Sequence, residues 1–225
     1  MVNGFFVAKF SLHPFIVTLA TQLITYGLIL IFFMLNGNNG QPVSGLSQEY
    51  KSVVSAPMIQ FTTGSGAKIS IPWYVLYAVI FVALMWFIWN KTAFGKNMFA
   101  VGGNPEAAAV SGINVFWTTM GVFLMAGILY GLGSSIFGIY STSVKAQNGQ
   151  GMESDAIAAC VVGGVSFSGG VGTIHGVVIG TLLFQAIAYI LPFIGIGDSN
   201  AQLFIKGLII LIAVTFDCAK FLKKK

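Results

Sequence analysis

From Ala156 to Gly197 the sequence runs for forty-two residues without an Asp, Glu, Lys or Arg. As one α-helix this stretch would be about 63 Å long, roughly twice the thickness of a bilayer's hydrocarbon core. It is too apolar to stay in water and too long to be a single crossing, so it must break. The break is legible in GGVSFSGGVG, residues 163–172. Residues 171–191 then supply a full span ending at Pro192, whereas residues 156–164 are too short to cross as a regular helix.

Other uncharged runs have the length of one crossing. They cover residues 14–35, 71–89 (with Trp73 and Trp89 near its ends) and 115–139, and a last span lies near 203–219. The glycines and serines of the third run suit close helix packing in lipid. Only 8% of the residues are charged and 56% are hydrophobic, against about 25% charged in soluble domains. The expected fold is all-α: a polytopic transmembrane helical bundle of about six crossings, one of them broken or re-entrant.

The net charge of +5 comes from Lys alone, with no Arg. Lys220, Lys223, Lys224 and Lys225 form a juxtamembrane cluster, not a face for nucleic acid. The first twenty-one residues lack a signal-peptide layout. Cys160 and Cys218 lie in or beside apolar runs and read as packing thiols. No His, Cys or carboxylate spacing suits a metal or a catalytic group, and GGVGTIHG lacks the ending and context of a phosphate loop. No cofactor is expected.

Placing the Lys cluster in the cytoplasm sets the orientation. Residues 36–70 then form an external loop, 90–114 a cytoplasmic loop, and 140–155 and 192–202 lie outside. Seven of the eleven Lys fall inside. The count closes only if residues 156–170 cross as a half-helix plus irregular backbone. Such backbone is tolerated at membrane depth inside protein or along a water-filled cavity, which is how transporters build passages. Gly163, Gly164, Ser166, Ser168, Gly169 and Gly170 are therefore pathway candidates, although the same glycines also suit close helix approach. Glu153 and Asp155 would flank the outer mouth, as passage residues or as a solvated helix N-terminus. Gln185 and Tyr189 add neutral polar groups suited to an uncharged ligand.

The cytoplasmic loop carries its own signals. Asn104 is placed to cap a helix and Pro105 to occupy its first position. Glu106 favours the helix dipole, Ala107 and Ala108 are small helix formers, and Gly112 offers a stop. The product is a short, small-faced helix that a protein surface can close over. The external loop reads as a docking surface for an outside partner or as an ordered cap.

The spacing of Glu106-Ala107-Ala108 and Gly112 resembles the loop by which ABC importer permeases dock their ATPase. The wider stretches WNKTAFGKNMFAVGGNPEAAAVSGINV (89–115) and DAIAACVVGGVSFSGGVGT (155–173) resemble the branch of permeases for ribose, xylose and galactose. PFIVTLAT (14–21) and IKGLIILIAV (205–214) fit the same branch. Members carry further spans ahead of the position matching Phe15, so the resemblance implies one permease domain, incomplete at its N-terminus. It implies a monosaccharide substrate, galactose or methyl galactoside first, and ATP hydrolysis on a separate chain. Implied partners are an ATPase dimer gripping Gly95, Gly102, Gly103, Asn104–Ala108 and Gly112, a periplasmic sugar-binding protein, and a second permease chain. The implied location is the bacterial inner membrane with the C-terminus inside. The lack of Arg, and His175 where aliphatic residues are usual, depart from the branch. Competing readings are a non-transporting fragment and an ion-coupled secondary transporter. The latter would need intramembrane ionisable groups, and residues 156–197 hold none besides His175.

Overall fold

A computed structural model describes residues 1–35, 41–45, 47–62, 68–141, 143–195 and 198–222. The side chains of Ser44, Tyr50, Ser199 and residues 216–222 also lie outside the description, so Lys220, Lys223, Lys224, Lys225 and the Cys218 thiol are not placed. The regular structure of the described chain is helical apart from two small two-stranded sheets. Among the described residues four helices are long and apolar enough to cross a membrane: α2 (Pro14–Leu35), α4 (Trp73–Lys91), α7 (Val115–Tyr140) and α9 (Ile174–Phe193). The remaining helices are α1 (Val2–Phe10), α3 (Gln48–Ser55), α5 (Ala93–Gly103), α6 (Pro105–Val110), α8 (Met152–Val162) and α10 (Ser199–Leu222), with an apolar stretch at Asn200–Thr215 in α10. The chain is a multi-pass membrane protein. Large side chains such as Leu23, Phe32 and Leu211 stand exposed around its helices, as expected of surfaces that face lipid or other spans rather than water.

The chain divides into two compact units, Met1–Phe87 with Asn114–Asn148, and Ile88–Ile113 with Gly149–Lys225. In the first unit α1 packs on α7 and α2. A Cβ on Gly4 would lie 3.0 Å from Cβ of Phe123, so only a residue this small lets the helices meet there. Thr21 donates its hydroxyl to Asn3 Oδ1. The sequence reading assigned no helix to residues 2–10; a nine-residue apolar helix is below the length of a span, and its partner is distant in sequence.

The segment expected to form an external loop carries regular structure. It contains α3 and an antiparallel hairpin of β2 (Pro57–Thr62) and β3 (Lys68–Pro72), while residues 36–40, 46 and 63–67 lie outside the description. Residues 71 and 72 finish a strand, so the second span starts at Trp73. The backbone N–H of Trp73 donates to Ala56 O, and the Tyr77 hydroxyl donates to Val53 O. The end of α3 is thereby fixed to the first turn of α4. A shorter sheet pairs β1 (Val43–Ser44) with β4 (Ser143–Val144).

In the second unit α9 packs on α8, and α10 packs on α8. Its buried centre is Ala158, Ala159 and Phe184, with Ile209 and Ile210 against it. The α8–α9 contact runs along Gly176 and Gly180, one helical turn apart, facing Gly163 and Ala159. A Cβ on Gly180 would strike Ala159 O and lie 2.6 Å from Gly163 N. This is small-residue packing of the kind that associates helices where no hydrophobic drive exists between them.

Candidate translocation and coupling site

The predicted break is present. After Val162, Gly164 takes φ +84°. Its N–H donates to Val161 O, and the N–H of Val165 donates to Cys160 O. This pair of bonds closes a helix through a left-handed residue, a conformation that costs other residues free energy. A tight turn follows. Ser166 N–H donates to Val171 O, Gly169 N–H to Ser166 O, and Ser168 N–H to Ser166 Oγ. Ser166 is buried. Thr173 then caps α9, its hydroxyl oxygen accepting from Gly176 N–H. The backbone is thus irregular over about ten residues but internally hydrogen-bonded over much of its length, as irregular backbone inside a membrane protein must be.

The other pathway candidates separate. Glu153 and Asp155 both sit in the first turn of α8. Glu153 is exposed, whereas Asp155 accepts from Lys206 Nζ of α10 at 2.7 Å, with side chains 30% and 22% exposed. The ammonium also lies 5.7 Å from the ring centroid of Phe184, within range of a cation–π contact. Lys206 was missed as a site residue. A lone Lys in an apolar run signals a buried or interfacial partner, but nothing in the sequence selects a carboxylate fifty-one positions away. Gln185 and Tyr189 are exposed on α9. At about 100° per residue they lie on the face away from Gly180 and Phe184, so the structure does not bring them together with Ser166 and Ser168.

Residues 90–114, the loop expected on the cytoplasmic side, fold as two helices where the sequence pointed to one. α5 begins at Thr92, whose hydroxyl oxygen accepts from Gly95 N–H. Gly95 is buried, and a Cβ there would strike Trp89 O. Asn104 caps α6 through its side-chain oxygen, which accepts from Ala107 N–H at 3.0 Å, and Pro105 is the first helical residue. Gly112, at φ +82°, ends α6 in the manner of Gly164, with Ile113 N–H donating to Ala108 O. Ala108 turns inward, while Glu106, Ala107, Ala109 and Val110 are exposed, Val110 at 91%.

Two regions of the second unit, distant in sequence, meet here. Gly102 and Gly103, at the end of α5, lie against Gly169 and Gly170 in the turn of the break. The structure therefore brings together four predicted site residues from two separate motifs. A cavity of about 630 Å³ in the first unit is lined by Thr25, Phe33, Ser134, Lys145 and Asn148 among others, none of them a predicted site residue. Among the described residues no cluster of His, Cys, Asp or Glu is arranged to hold a metal.

Residues 1–214 match the family described as branched-chain amino acid transport system / permease component. The galactose/methyl galactoside import permease protein MglC of Treponema pallidum is 49% identical over 222 residues, 99% of this chain and 40% of that protein. Its namesake in Haemophilus influenzae is 42% identical over 225 residues, covering 100% of this chain and 64% of that protein. The ribose import permease protein RbsC of Bacillus subtilis is 36% identical over 218 residues, 97% and 63% of the two chains. The chain thus spans less than two thirds of the length of these relatives. No solved structure matches it.

Proposed function

The chain belongs to the branched-chain amino acid transport system / permease component family, and from that premise we propose that it is a membrane-spanning subunit of an ATP-driven importer for a monosaccharide, galactose or methyl galactoside before ribose. The names of the relatives at 49% and 42% identity support the sugar. ATP hydrolysis belongs to a partner ATPase dimer that closes over α6 and the end of α5. A periplasmic sugar-binding protein delivers the ligand, a second permease chain completes the passage, and the C-terminus lies on the cytoplasmic side of the inner membrane.

One observation carries this reading. The loop 90–114 holds a capped helix with small side chains exposed on its outer face, and it rests on the glycine turn of the broken segment. The contacts of α8 support its crossing. Asp155 at its start is paired with Lys206, on the outer side of the proposed topology. The turn beyond its end touches Gly102 and Gly103, on the inner side. α8 spans about 16 Å by itself, and the turn supplies the remaining depth. The neutral polar groups of that turn suit an uncharged sugar. The Asp155–Lys206 pair is a structural clamp in this reading. An ion-coupled mechanism would use such a pair as its proton or cation site, and uptake would then follow an ion gradient instead of ATP.

The test is uptake of labelled galactose into proteoliposomes that contain the chain, the ATPase and the binding protein. Glu106→Lys and Gly112→Trp are expected to abolish ATP-dependent uptake while membrane insertion stays intact. Unchanged uptake in both variants would overturn the assignment of residues 95–112 as the ATPase grip.

A further inference from the structure

We infer that α5 is a lever that delivers movement of the cytoplasmic loop directly to the glycine turn of the broken helix, with Gly102 and Gly170 as its bearing. The inference rests on the reading of residues 95–112 as the grip of an ATPase partner, and deepens it by naming where the force arrives.

Both ends of α5 are seated by backbone contact. At its start, Gly95 lies beneath the carbonyls of Ile88 and Trp89, where a Cβ would strike both oxygens. The Phe99 ring meets Trp89 edge-on at 5.2 Å between centroids, which holds the first two turns to the end of α4. At its far end, a Cβ on Gly102 would stand 3.0 Å from Gly170 N, and one on Gly170 would stand 2.7 Å from Gly103 Cα. A Cβ on Gly169 would strike Gly102 O. Two stretches of backbone are therefore in van der Waals contact without intervening side chains. Between these seats runs an eleven-residue helix, about 16 Å long.

Such a contact transmits displacement better than side chains do. A side chain absorbs a shift of an ångström by changing rotamer, whereas packed backbone has no such freedom. The receiving segment is suited to respond. Ser166 to Val171 is a closed turn, and Gly169 and Gly170 have φ of +88° and +72°. Pushing on this turn changes the relation between α8 and α9, which are themselves packed backbone to backbone at Gly163, Gly176 and Gly180. The flanking spans are thus not the only route from the loop into the membrane.

The experiment uses the complex of permease, ATPase and binding protein in proteoliposomes, with labelled galactose as the probe. Three variants probe the bearing: Gly102→Ala, Gly102→Val and Gly170→Ala. Gly207→Ala, which meets open space on α10, controls for glycine replacement as such. Two quantities are measured, retention of the ATPase on the tagged permease and galactose taken up per ATP hydrolysed. The expected result, counted only over complexes that retain the ATPase, is uptake per ATP lowered about tenfold in Gly102→Val and less in Gly102→Ala. A purely structural role would reduce the amount of assembled complex and leave the ratio per ATP unchanged. Gly102 has ordinary helical backbone, so its variants decide the matter even if Gly170→Ala does not fold. Wild-type uptake per ATP in Gly102→Val, with the ATPase retained, overturns the lever and leaves the grip standing. Failure of the wild-type chain to retain the ATPase overturns both.

Discussion

Breaking the Asp155–Lys206 pair should loosen α8 from α10 by an amount the geometry sets. At 2.7 Å and an effective dielectric constant near 20, the Coulomb attraction is about 6 kcal/mol. Desolvation and loss of side-chain freedom oppose it. The side chains are 22% and 30% exposed, between a surface pair worth about 0.2–1 kcal/mol and a buried pair whose disruption costs about 3–5 kcal/mol. A coupling energy of about 2 kcal/mol follows from that intermediate position. The perturbation is a double-mutant cycle of Asp155→Asn, Lys206→Met and both together. The assay is unfolding by SDS titration in dodecyl maltoside micelles, read by circular dichroism. Lys206→Met should cost more than Asp155→Asn, because it removes the contact to Phe184 as well and leaves a carboxylate unpaired. The double variant should be less destabilised than the sum of the singles by about 2 kcal/mol. Additivity within about 0.5 kcal/mol would refute the clamp and mean that the charges act independently.

Other outcomes follow from the same contacts. Asn104→Ala removes the cap of α6 and should cost about 1 kcal/mol locally, read as roughly fivefold faster hydrogen exchange at the Ala107 amide; unchanged exchange would mean that the cap is idle. Gly180→Val would drive its side chain into the backbone of α8 at Ala159 and Gly163, and is expected to lower the yield of folded protein sharply on size-exclusion chromatography, with Gly207→Val close to wild type. Gly4→Leu should separate α1 from α7 at Phe123 and Met120 and cost about 1–3 kcal/mol as an overpacked contact, measured by the same SDS titration.

Much of this fold is legible in the sequence because a bilayer imposes a length. Each of the runs 14–35, 71–89 and 115–139 became a helix within two residues of its expected start. The forty-two-residue run broke where its glycines stand, between Val162 and Ile174. The helix expected near 203–219 runs from Ser199 to Leu222 with its apolar stretch at Asn200–Thr215, and α9 continues through Pro192 to Phe193. Proline in the final turn of a helix interrupts little of the ladder below it. The caps at Asn104 and Pro105 were readable because they depend on neighbours three residues away.

What the sequence hid depends on distance or on elements shorter than a span. The alternation of Ile59 and Phe61 with Ile69 and Ile71 was a strand signal, and these residues pair on one face of the hairpin. It lay within a Gly- and Ser-rich segment that read as connector. The Gly176-to-Gly180 spacing is a packing signal in an apolar helix, but its partner surface on α8 cannot be named from spacing. The meeting of Gly102 with Gly170 follows from tertiary structure alone. Each motif was visible separately, and no local periodicity links them.

In the proposed function an ATPase grips this chain through residues 95–112. The most direct measurement is affinity purification of the tagged permease from detergent-solubilised membranes that also express the ATPase and the binding protein, beside a Glu106→Lys variant. Recovery of the ATPase with the wild-type chain, and its loss with Glu106→Lys at equal permease yield, is the predicted result. Equal recovery with both chains, or with neither, would contradict an ATPase grip on these residues.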